Sequence, residues 1–503
     1  MQIILAGFNL DRELIASLAR IAEEAPAAAL DPAALTPETL SAAYARISRD
    51  PRPIPELRDE ARRDVARARR SNRRIIFGFG HTSVAEHAVF NFDILGISRL
   101  AVEALEASRL GSYTEKSQRY ILLERDAIVP PEIAAGPLDA PFRALLALQQ
   151  DSYRRAYERL LAHLEQTQPA RWGDEAGRRE LEGAAKEDAR YFLGLATTGQ
   201  LGATLNARTL EAAVRRLAAD PLAEVRELGT RLLDAVAPIA PSLVRYTAPD
   251  PIRVETPEAL RERLEALEAG AAEPAPGTRA RPAADETEPT AFVRLIDSSE
   301  NGETLLLAAL IHGSTGRSWD ESFASAQGLD ATARQSLFVE SLRRLSPHEP
   351  PLRAFELPDL TYELITSASC FAQLKRHRMA TILAQAYRPD LGVTVPSSFH
   401  AGGLAGDYAG VCRKSEELFE RIHEVAPHAA AYALTNGHRR RVLFKANARE
   451  LYHLARLRLD EHAQWDIRIV AREMIRQARE RYPLMMMLAM GKDEFERRPA
   501  AEE

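Results

Sequence analysis

The hydrophobic pattern of this chain is mostly that of amphipathic helices. Long stretches rich in Ala, Leu, Arg and Glu place apolar residues three and four positions apart, which is the spacing of one helical face. Strand-like segments are fewer and shorter, and we predict strands at residues 1–8, 73–79, 90–97, 119–124, 291–298 and 360–369. This mixture predicts an α+β fold, in which long helices pack on a small, mostly antiparallel sheet.

The same order of segments occurs twice along the chain. In each half a strand-like run leads into a helix, then an Arg-bearing segment, and then an Asn-Ala-Arg triplet that opens another helix, at Asn206 and at Asn447. A repeat of this length indicates a duplicated domain. The charged Ala/Pro-rich stretch 268–290 has almost no large apolar residues and is typical of a solvated linker. We therefore predict a first domain at 1–250, a linker at 251–290 and a homologous second domain at 291–503, fused as an internal pseudo-dimer.

Composition narrows the class of protein. With 503 residues, 46% of them hydrophobic, the chain can bury large cores, and its net charge of −6 is not that of a nucleic-acid-binding protein. The two cysteines exclude a disulfide scaffold and a cysteine-rich metal site, and they suit a reducing cytoplasm. The N-terminus reaches an acidic residue too early for a secretory signal, and the apolar run PLMMMLAM is too short to span a bilayer. We expect a cytoplasmic protein without a membrane segment.

A cluster of cations interrupts the apolar segment FAQLKRHRMATILA. Its triplet is Arg376-His377-Arg378, and on its own such a triplet is more often a solvated basic helix face than a site. Arginines in this setting could hold a phosphate or a pyrimidine carbonyl through their fork of N–H donors. On the helix opened by the second Asn-Ala-Arg triplet, Arg449 and His453 share a face. Arg458 either points elsewhere on that helix or follows a break in it.

Other polar motifs favour structural interpretations. His81 and His87 in HTSVAEH do not share one helical face, and no further ligand cluster follows, so we predict no metal site. Glu86 and His87 could equally satisfy local backbone groups. The run 438–441, HRRR, is most simply a solvated turn. The setting of Cys370 favours a small buried side chain over a nucleophile.

Taken together, these segments resemble the flavin-dependent thymidylate synthases. The resemblance covers most of both halves and rests on GHTSVAEH, GISR, SYTEKSQRY, EDAR, both NAR triplets, RHR and AQWDIR. In that family the nucleotide site lies between subunits. One subunit gives a Gln, the Arg-His-Arg triplet and a late arginine, and its partner gives a Glu-x-Ser-x-Arg segment and an earlier arginine.

The two halves of this chain lack complementary parts of that pattern. Alignment places Ala104, Ala107, Ser108 and Leu217 of the first half opposite Gln373, Arg376, His377 and Arg458 of the second. It places Ala384, Ala386 and Ala431 of the second half opposite Glu115, Ser117 and Arg190 of the first. The resemblance therefore implies one composite site shared between the halves, with its symmetry mate lost.

The resemblance also implies roles for individual residues. The substrate-binding set is Gln373, Arg376, Glu115, Ser117, Arg119, Arg190 and Arg458. The cofactor-binding set is Ser83, Arg376, His377, Arg378, Glu115, Asn447, Arg449 and His453. Arg458 is the implied catalytic residue, because an arginine against a pyrimidine ring nitrogen stabilises developing negative charge and activates C5.

The implied reaction is reductive methylation of dUMP to dTMP with FAD, NADPH and methylenetetrahydrofolate. Two alternatives stay open because the motifs are degenerate at 348–356 and at Thr381, Ala384 and Ala386. The protein could be a diverged flavoenzyme acting on another pyrimidine nucleotide, or a non-catalytic nucleotide-binding homologue. Since the family is homotetrameric, we expect a homodimer of this chain that forms a pseudo-tetramer.

Overall fold

A computed structural model describes residues 1–24, 35–123, 126–269 and 292–497. The chain forms two compact units, each made of three stretches of sequence. The first unit comprises residues 1–147, 195–282 and 418–433, and the second comprises 148–194, 283–417 and 434–503. Each unit therefore takes one short stretch from the other half of the sequence.

Each unit contains a four-stranded antiparallel sheet with the same strand order. The first sheet has the order β1-β2-β4-β3, formed by β1 (Gln2–Phe8), β2 (Val89–Ser98), β3 (Ser112–Glu115) and β4 (Thr198–Asn206). The second has the order β5-β6-β8-β7, formed by β5 (Phe292–Ser298), β6 (Asp359–Ser367), β7 (Thr381–Ala384) and β8 (Arg439–Asn447). The predicted α+β class with small antiparallel sheets and a repeated element order is confirmed.

The helices of the first half are α1 (Arg12–Glu24), α2 (Glu38–Arg46), α3 (Ile54–Arg63), α4 (Val65–Asn72), α5 (Arg99–Glu106), α6 (Asp139–Thr167), α7 (Pro169–Gly173), α8 (Glu175–Ala189), α9 (Ala207–Ala218), α10 (Ala223–Val236) and α11 (Pro251–Ala269). Those of the second half are α12 (Gly302–Ser314), α13 (Trp319–Gly328), α14 (Ala331–Leu342), α15 (Ala368–Leu374), α16 (Ser397–Ala401), α17 (Ala405–Val425), α18 (Ala448–Arg458), α19 (Trp465–Arg481) and α20 (Lys492–Glu496). Within the described residues, every helix is too short or too polar to span a lipid bilayer.

Local sequence signals explain where the repeated helices begin. Ser98 and Ser367 end the central strands β2 and β6, and each hydroxyl accepts the backbone N–H three residues on, which caps α5 and α15. Asn206 and Asn447 cap α9 and α18 in the same way, as the two Asn-Ala-Arg triplets predicted. Such caps satisfy N–H groups that have no partner inside the helix.

The core of the second unit lies between its sheet and the surrounding helices. Leu360, Tyr362 and Leu364 alternate along β6 and are fully buried, as the period of a strand requires. They pack with Phe444 of β8 and with Met474 of α19, whose backbone oxygen accepts a hydrogen bond from the Tyr362 hydroxyl at 3.1 Å. Strands β6 and β8 are thus the central strands of the sheet, and α15 follows directly from β6.

Three sequence-based predictions of secondary structure are wrong. Residues 73–79 form no strand, because Arg73–Gly78 continue α4 as a π-helical turn. The described part of 119–124 contains no strand, and residues 119–121 form a turn and a bend. The run 438–441 is no solvated turn, because His438 is buried and Arg439 begins β8. The predicted linker contains α11, and its residues 270–290 lie outside the described part of the chain.

Candidate functional site

The Arg-His-Arg triplet lies in the turn between α15 and β7. Ser367 caps α15, and the backbone N–H of His377 bonds to the carbonyl of Leu374 just after that helix ends. The turn buries the His377 side chain, which is 1% exposed, and leaves Arg376 and Arg378 exposed on either side of it. The three residues of the motif therefore have different environments, and the imidazole faces the protein interior.

Arg458 is held against this turn by three hydrogen bonds. Its Nε donates to His377 Nε2 at 3.1 Å, and its two terminal nitrogens donate to the side-chain and main-chain oxygens of Gln373, each at 3.1 Å. Helix α18 is continuous as far as Arg458, so the structure excludes a break before it. Gln373, His377 and Arg458, which come from two distant motifs, form one cluster.

The other nitrogen of His377 contacts an acid on the same helix as Arg458. Nδ1 lies 2.9 Å from Glu450 Oε1, and the Glu450 side chain is 7% exposed. Burial and, to a smaller extent, the neighbouring Arg458 cation together lower the pKa of His377 from 6.5 to about 3. Burial also raises the pKa of Glu450. Sequence analysis did not single out Glu450, which has the ordinary appearance of an acidic residue in the first turn of a helix.

The predicted cofactor residues on α18 differ in their surroundings. The Asn447 side-chain oxygen accepts the Glu450 N–H at 2.9 Å. Arg449 pairs with Glu356 at 3.0 Å and donates to the carbonyl of Pro351 at 2.8 Å. His453 is exposed, and its ring lies 5.7 Å from that of His377 in an edge-on arrangement. Of these three residues, His453 is exposed, whereas Asn447 and Arg449 are partly buried.

The second unit also contains Arg190, which is 3% exposed. Its backbone oxygen accepts a hydrogen bond from the Asn436 side chain at 2.9 Å, and its Nε donates to the Glu187 carbonyl at 3.1 Å. In the first unit, Glu115 lies at the end of β3 with its carboxylate 3.7 Å from Arg99. There Ser117 accepts the Arg119 N–H at 3.2 Å, and Ser83 is exposed on a 3₁₀ turn, Thr82–His87.

A family model described as thymidylate synthase complementing protein matches residues 33–242 and 294–484 of this chain. The chain belongs to this family. The flavin-dependent thymidylate synthase of Clostridium tetani is 33% identical over 186 residues, covering 37% of this chain and 72% of the relative. The corresponding enzyme of Mycobacterium tuberculosis is 34% identical over 173 residues, covering 34% of this chain and 66% of the relative.

Another relative aligns with this chain over most of the length of both proteins. A UPF0159 protein of Chlamydia muridarum is 23% identical over 428 residues, covering 82% of this chain and 78% of the relative. An alignment of that length extends over both halves. The two matched family segments also agree with the duplication read from the sequence.

Within this family member, a buried network beside Arg190 was missed by sequence analysis. The Asp466 carboxylate accepts the Ser367 hydroxyl at 2.5 Å and the Tyr191 hydroxyl at 2.9 Å. Nearby, Asp188 accepts the Ser398 hydroxyl at 2.6 Å and the Trp465 indole N–H at 2.8 Å. Their positions in the sequence could have indicated these residues. Asp188 and Tyr191 flank Arg190, and Trp465 and Asp466 lie in the AQWDIR motif.

An ion pair that occurs in both copies explains Glu86, the acidic residue of HTSVAEH. Glu86 pairs with Arg208 at 2.5 Å in the first unit, and Glu356 pairs with Arg449 at 3.0 Å in the second. Both arginines belong to the Asn-Ala-Arg triplets. The pairing supports the structural interpretation of Glu86 that the sequence left open.

Among the described residues, His377, Glu450 and His453 form a group whose ligand atoms lie within 4.8 Å of one another, as a metal site requires. The hydrogen bonds argue against a metal there. Arginine only donates, so its contact uses the lone pair of His377 Nε2 and leaves the proton on Nδ1. A metal at Nδ1 would need that nitrogen without its proton, and Arg458 would have to move away.

Proposed function

We propose that this protein converts dUMP to dTMP by reductive methylation, with FAD as cofactor, NADPH as reductant and methylenetetrahydrofolate as one-carbon donor. The observation that carries the proposal is the contact of Arg458 with Gln373 and His377, at 3.1 Å in each case. These residues belong to separate motifs of the family resemblance. Their convergence in one cluster supports a common site.

In this proposal Arg458 is the catalytic residue. A guanidinium beside a pyrimidine ring stabilises the negative charge that develops on the ring when C5 attacks the one-carbon unit. Three hydrogen bonds fix the orientation of Arg458. A donor that is held in place before the reaction is more effective than a mobile one, because no reorganisation is needed in the transition state.

The exposed polar groups around the triplet fit a flavin in their chemistry. Arg376 and Arg378 offer exposed guanidinium donors suited to phosphate groups, and His453 offers an exposed imidazole. When bound, FAD reduced by NADPH supplies the electrons of the reductive step. Ser83, Glu115, His377, Asn447 and Arg449 complete the proposed cofactor-binding set.

The proposed nucleotide site joins Gln373, Arg376 and Arg458 with residues of the first half. This part rests on the complementary losses in the sequence, which leave Glu115, Ser117 and Arg190 without equivalents in the second half, and Arg119 belongs to the same first-half segment as Glu115 and Ser117. The occurrence of Arg190 in the same unit as Arg458 supports its inclusion. We further propose that two chains form a homodimer equivalent to the family tetramer, which light scattering after gel filtration tests directly.

A product assay tests the reaction. Purified protein is incubated with FAD, NADPH, dUMP and methylenetetrahydrofolate, and the nucleotides are analysed by mass spectrometry. We expect dUMP to gain one methyl group. Bound flavin with a spectrum perturbed by dUMP, but no product, would favour a flavoenzyme acting on another pyrimidine nucleotide. Neither product nor flavin would favour a non-catalytic homologue.

The first prediction tests the composite site. Arg376→Ala and Arg119→Ala should each weaken dUMP binding by at least about 100-fold, because each removes a charged hydrogen-bond donor from the nucleotide. Arg388→Ala is the matched control. Arg388 is the counterpart of Arg119 in the second copy, and it is exposed and paired with Asp390 at 2.8 Å. Calorimetry measures the affinities, and normal binding by Arg119→Ala would refute the composite site.

A further inference from the structure

The contacts of His377 determine which of its nitrogens carries the proton. Arg458 Nε is only a donor, so His377 Nε2 must accept with its lone pair. The single proton of the neutral ring is therefore on Nδ1 and is donated to Glu450 Oε1 at 2.9 Å. The hydrogen bonds run in one direction, from Arg458 to His377 and from His377 to Glu450.

This arrangement depends on Glu450. Without an acceptor at that position the buried ring could take the other tautomer or turn over, and Nε2 would then present a proton to the guanidinium. Two donors facing each other would push Arg458 away. Burial keeps the ring neutral, and the lowered pKa of His377 agrees with this.

The first copy of the domain provides an internal comparison. Its counterparts of His377 and Arg458 are Ser108 and Leu217, and the Asn-Ala-Arg alignment places Thr209 opposite Glu450. All three hydrogen-bonded residues, Arg458, His377 and Glu450, are thus replaced in the copy that lacks the triplet. In contrast, the cap at the start of the same helix is present in both copies.

We infer that Glu450 is a positioning residue that acts through His377 to hold Arg458 in its reactive orientation. The inference deepens the proposed function, on which the catalytic importance of Arg458 rests. Glu450 itself need not touch a ligand. Its contribution is to fix the tautomer and the plane of the imidazole, and thereby the direction of the guanidinium.

Two variants of Glu450 distinguish the role of its hydrogen-bond acceptor from the role of its negative charge. Glu450→Gln retains an oxygen that accepts the Nδ1 proton, whereas Glu450→Ala removes it. We expect Glu450→Ala to lower kcat by about 10- to 100-fold, the range for a displaced catalytic group, with the KM for dUMP within about threefold of the wild type. Glu450→Gln should restore kcat to within about threefold of the wild type. Glu417→Gln, at an exposed position on α17, is the control.

A double-mutant cycle tests the path through His377. In His377→Gln the side-chain oxygen reaches about as far as Nε2 and still accepts from Arg458, but the connection to Glu450 is lost. In that background Glu450→Ala should have no further effect on kcat. If it lowers kcat by the same factor as in the wild type, Glu450 does not act through His377.

A measurement without turnover distinguishes failure of this inference from failure of the proposed function. Two-bond ¹⁵N–¹H NMR spectra of ¹⁵N-histidine-labelled protein, assigned with His377→Gln, report the tautomer directly. We expect a proton on Nδ1 in the wild type and loss of that defined signal in Glu450→Ala. A proton on Nε2, or a doubly protonated ring at neutral pH, would overturn the inference even in an active enzyme. Absence of dTMP formation alone would overturn only the proposed function.

Discussion

Asp188 gives a prediction whose size and sign can be worked out from the structure. Its carboxylate is part-buried and accepts hydrogen bonds from Ser398 and Trp465 at 2.6 and 2.8 Å. Burial outweighs these bonds and raises the pKa of Asp188 from 3.8 to about 6. Since one pKa unit is worth about 1.4 kcal/mol, the ionised carboxylate costs the folded state at most about 3 kcal/mol. Because Asp188 is only partly buried, solvent screening reduces this cost to about 2 kcal/mol.

The sign follows from proton binding in the two states. Below about pH 4 the Asp188 carboxyl is protonated in both the folded and the unfolded chain, so it contributes nothing to the pH dependence. Between about pH 4 and 6 the unfolded chain loses this proton first, and the free energy of unfolding falls as the pH rises. Above pH 6 the full cost of the buried charge is present.

Asp188→Asn removes this titration while keeping the shape. The amide oxygen can accept from the Trp465 indole, and the amide nitrogen can donate to the Ser398 hydroxyl, so both partners stay satisfied. We expect Asp188→Asn to be about 2 kcal/mol more stable than the wild type at pH 7.5, with the difference vanishing as the pH approaches 4. Urea unfolding at several pH values measures this, with exposed Asp234→Asn as control. A difference that does not change with pH, or a less stable variant at pH 7.5, would refute the reasoning.

Two further predictions concern the helix caps that both copies share and the buried thiol of Cys370. Asn447→Ala and Asn206→Ala should each cost about 1 kcal/mol of stability in unfolding experiments, because each removes the N-cap of its helix; a cost in one copy alone would contradict equivalent caps. Cys370→Ala should retain dTMP formation and lose about 1 kcal/mol of stability, because Cys370 is 0% exposed and burial raises its thiol pKa, so that no thiolate forms at neutral pH. Loss of turnover in the folded variant would indicate a role in catalysis.

The sequence predicted the repeat well because the repeat is carried by local signals. Alternating apolar residues predicted β2 and β6, and the Asn-Ala-Arg triplets predicted the starts of α9 and α18. Each of these signals depends only on residues that are close in sequence, either through the alternation of a strand or through a helix cap. For the same reason they were readable without any knowledge of the tertiary contacts.

The failures occurred where distant contacts override local appearance. Arg440 looks like a solvated cation, yet its guanidinium lies 4.6 Å from the ring centre of Phe371 and 4.2 Å from that of Tyr387. Aromatic faces attract arginine and cover its aliphatic stem, so a run of arginines can form a strand. The predicted strand at 73–79 was wrong for a different reason, because helix α4 continues into this segment as a π-helical turn.

For the candidate site, the sequence identified Gln373, His377 and Arg458 but not the geometry that relates them. A pattern can place His377 in a conserved-looking triplet, but it cannot tell that the ring is buried or that Glu450, 73 residues away, accepts its proton. Such relations depend on how α18 packs beside the turn after α15. They became visible only with the tertiary structure.

Comparison of the two copies separates what the fold needs from what the site needs. In the second unit Asp466 binds the cap residue Ser367 and Tyr191, and in the first unit Glu224 binds the cap residue Ser98 and Tyr432. This buried arrangement exists in both units, although only one half retains the triplet. A buried carboxylate that lost its hydroxyl partners would destabilise either unit, so the fold itself requires them. His377, Glu450 and Arg458 have no such counterpart in the first half, and a role confined to one site accounts for that asymmetry.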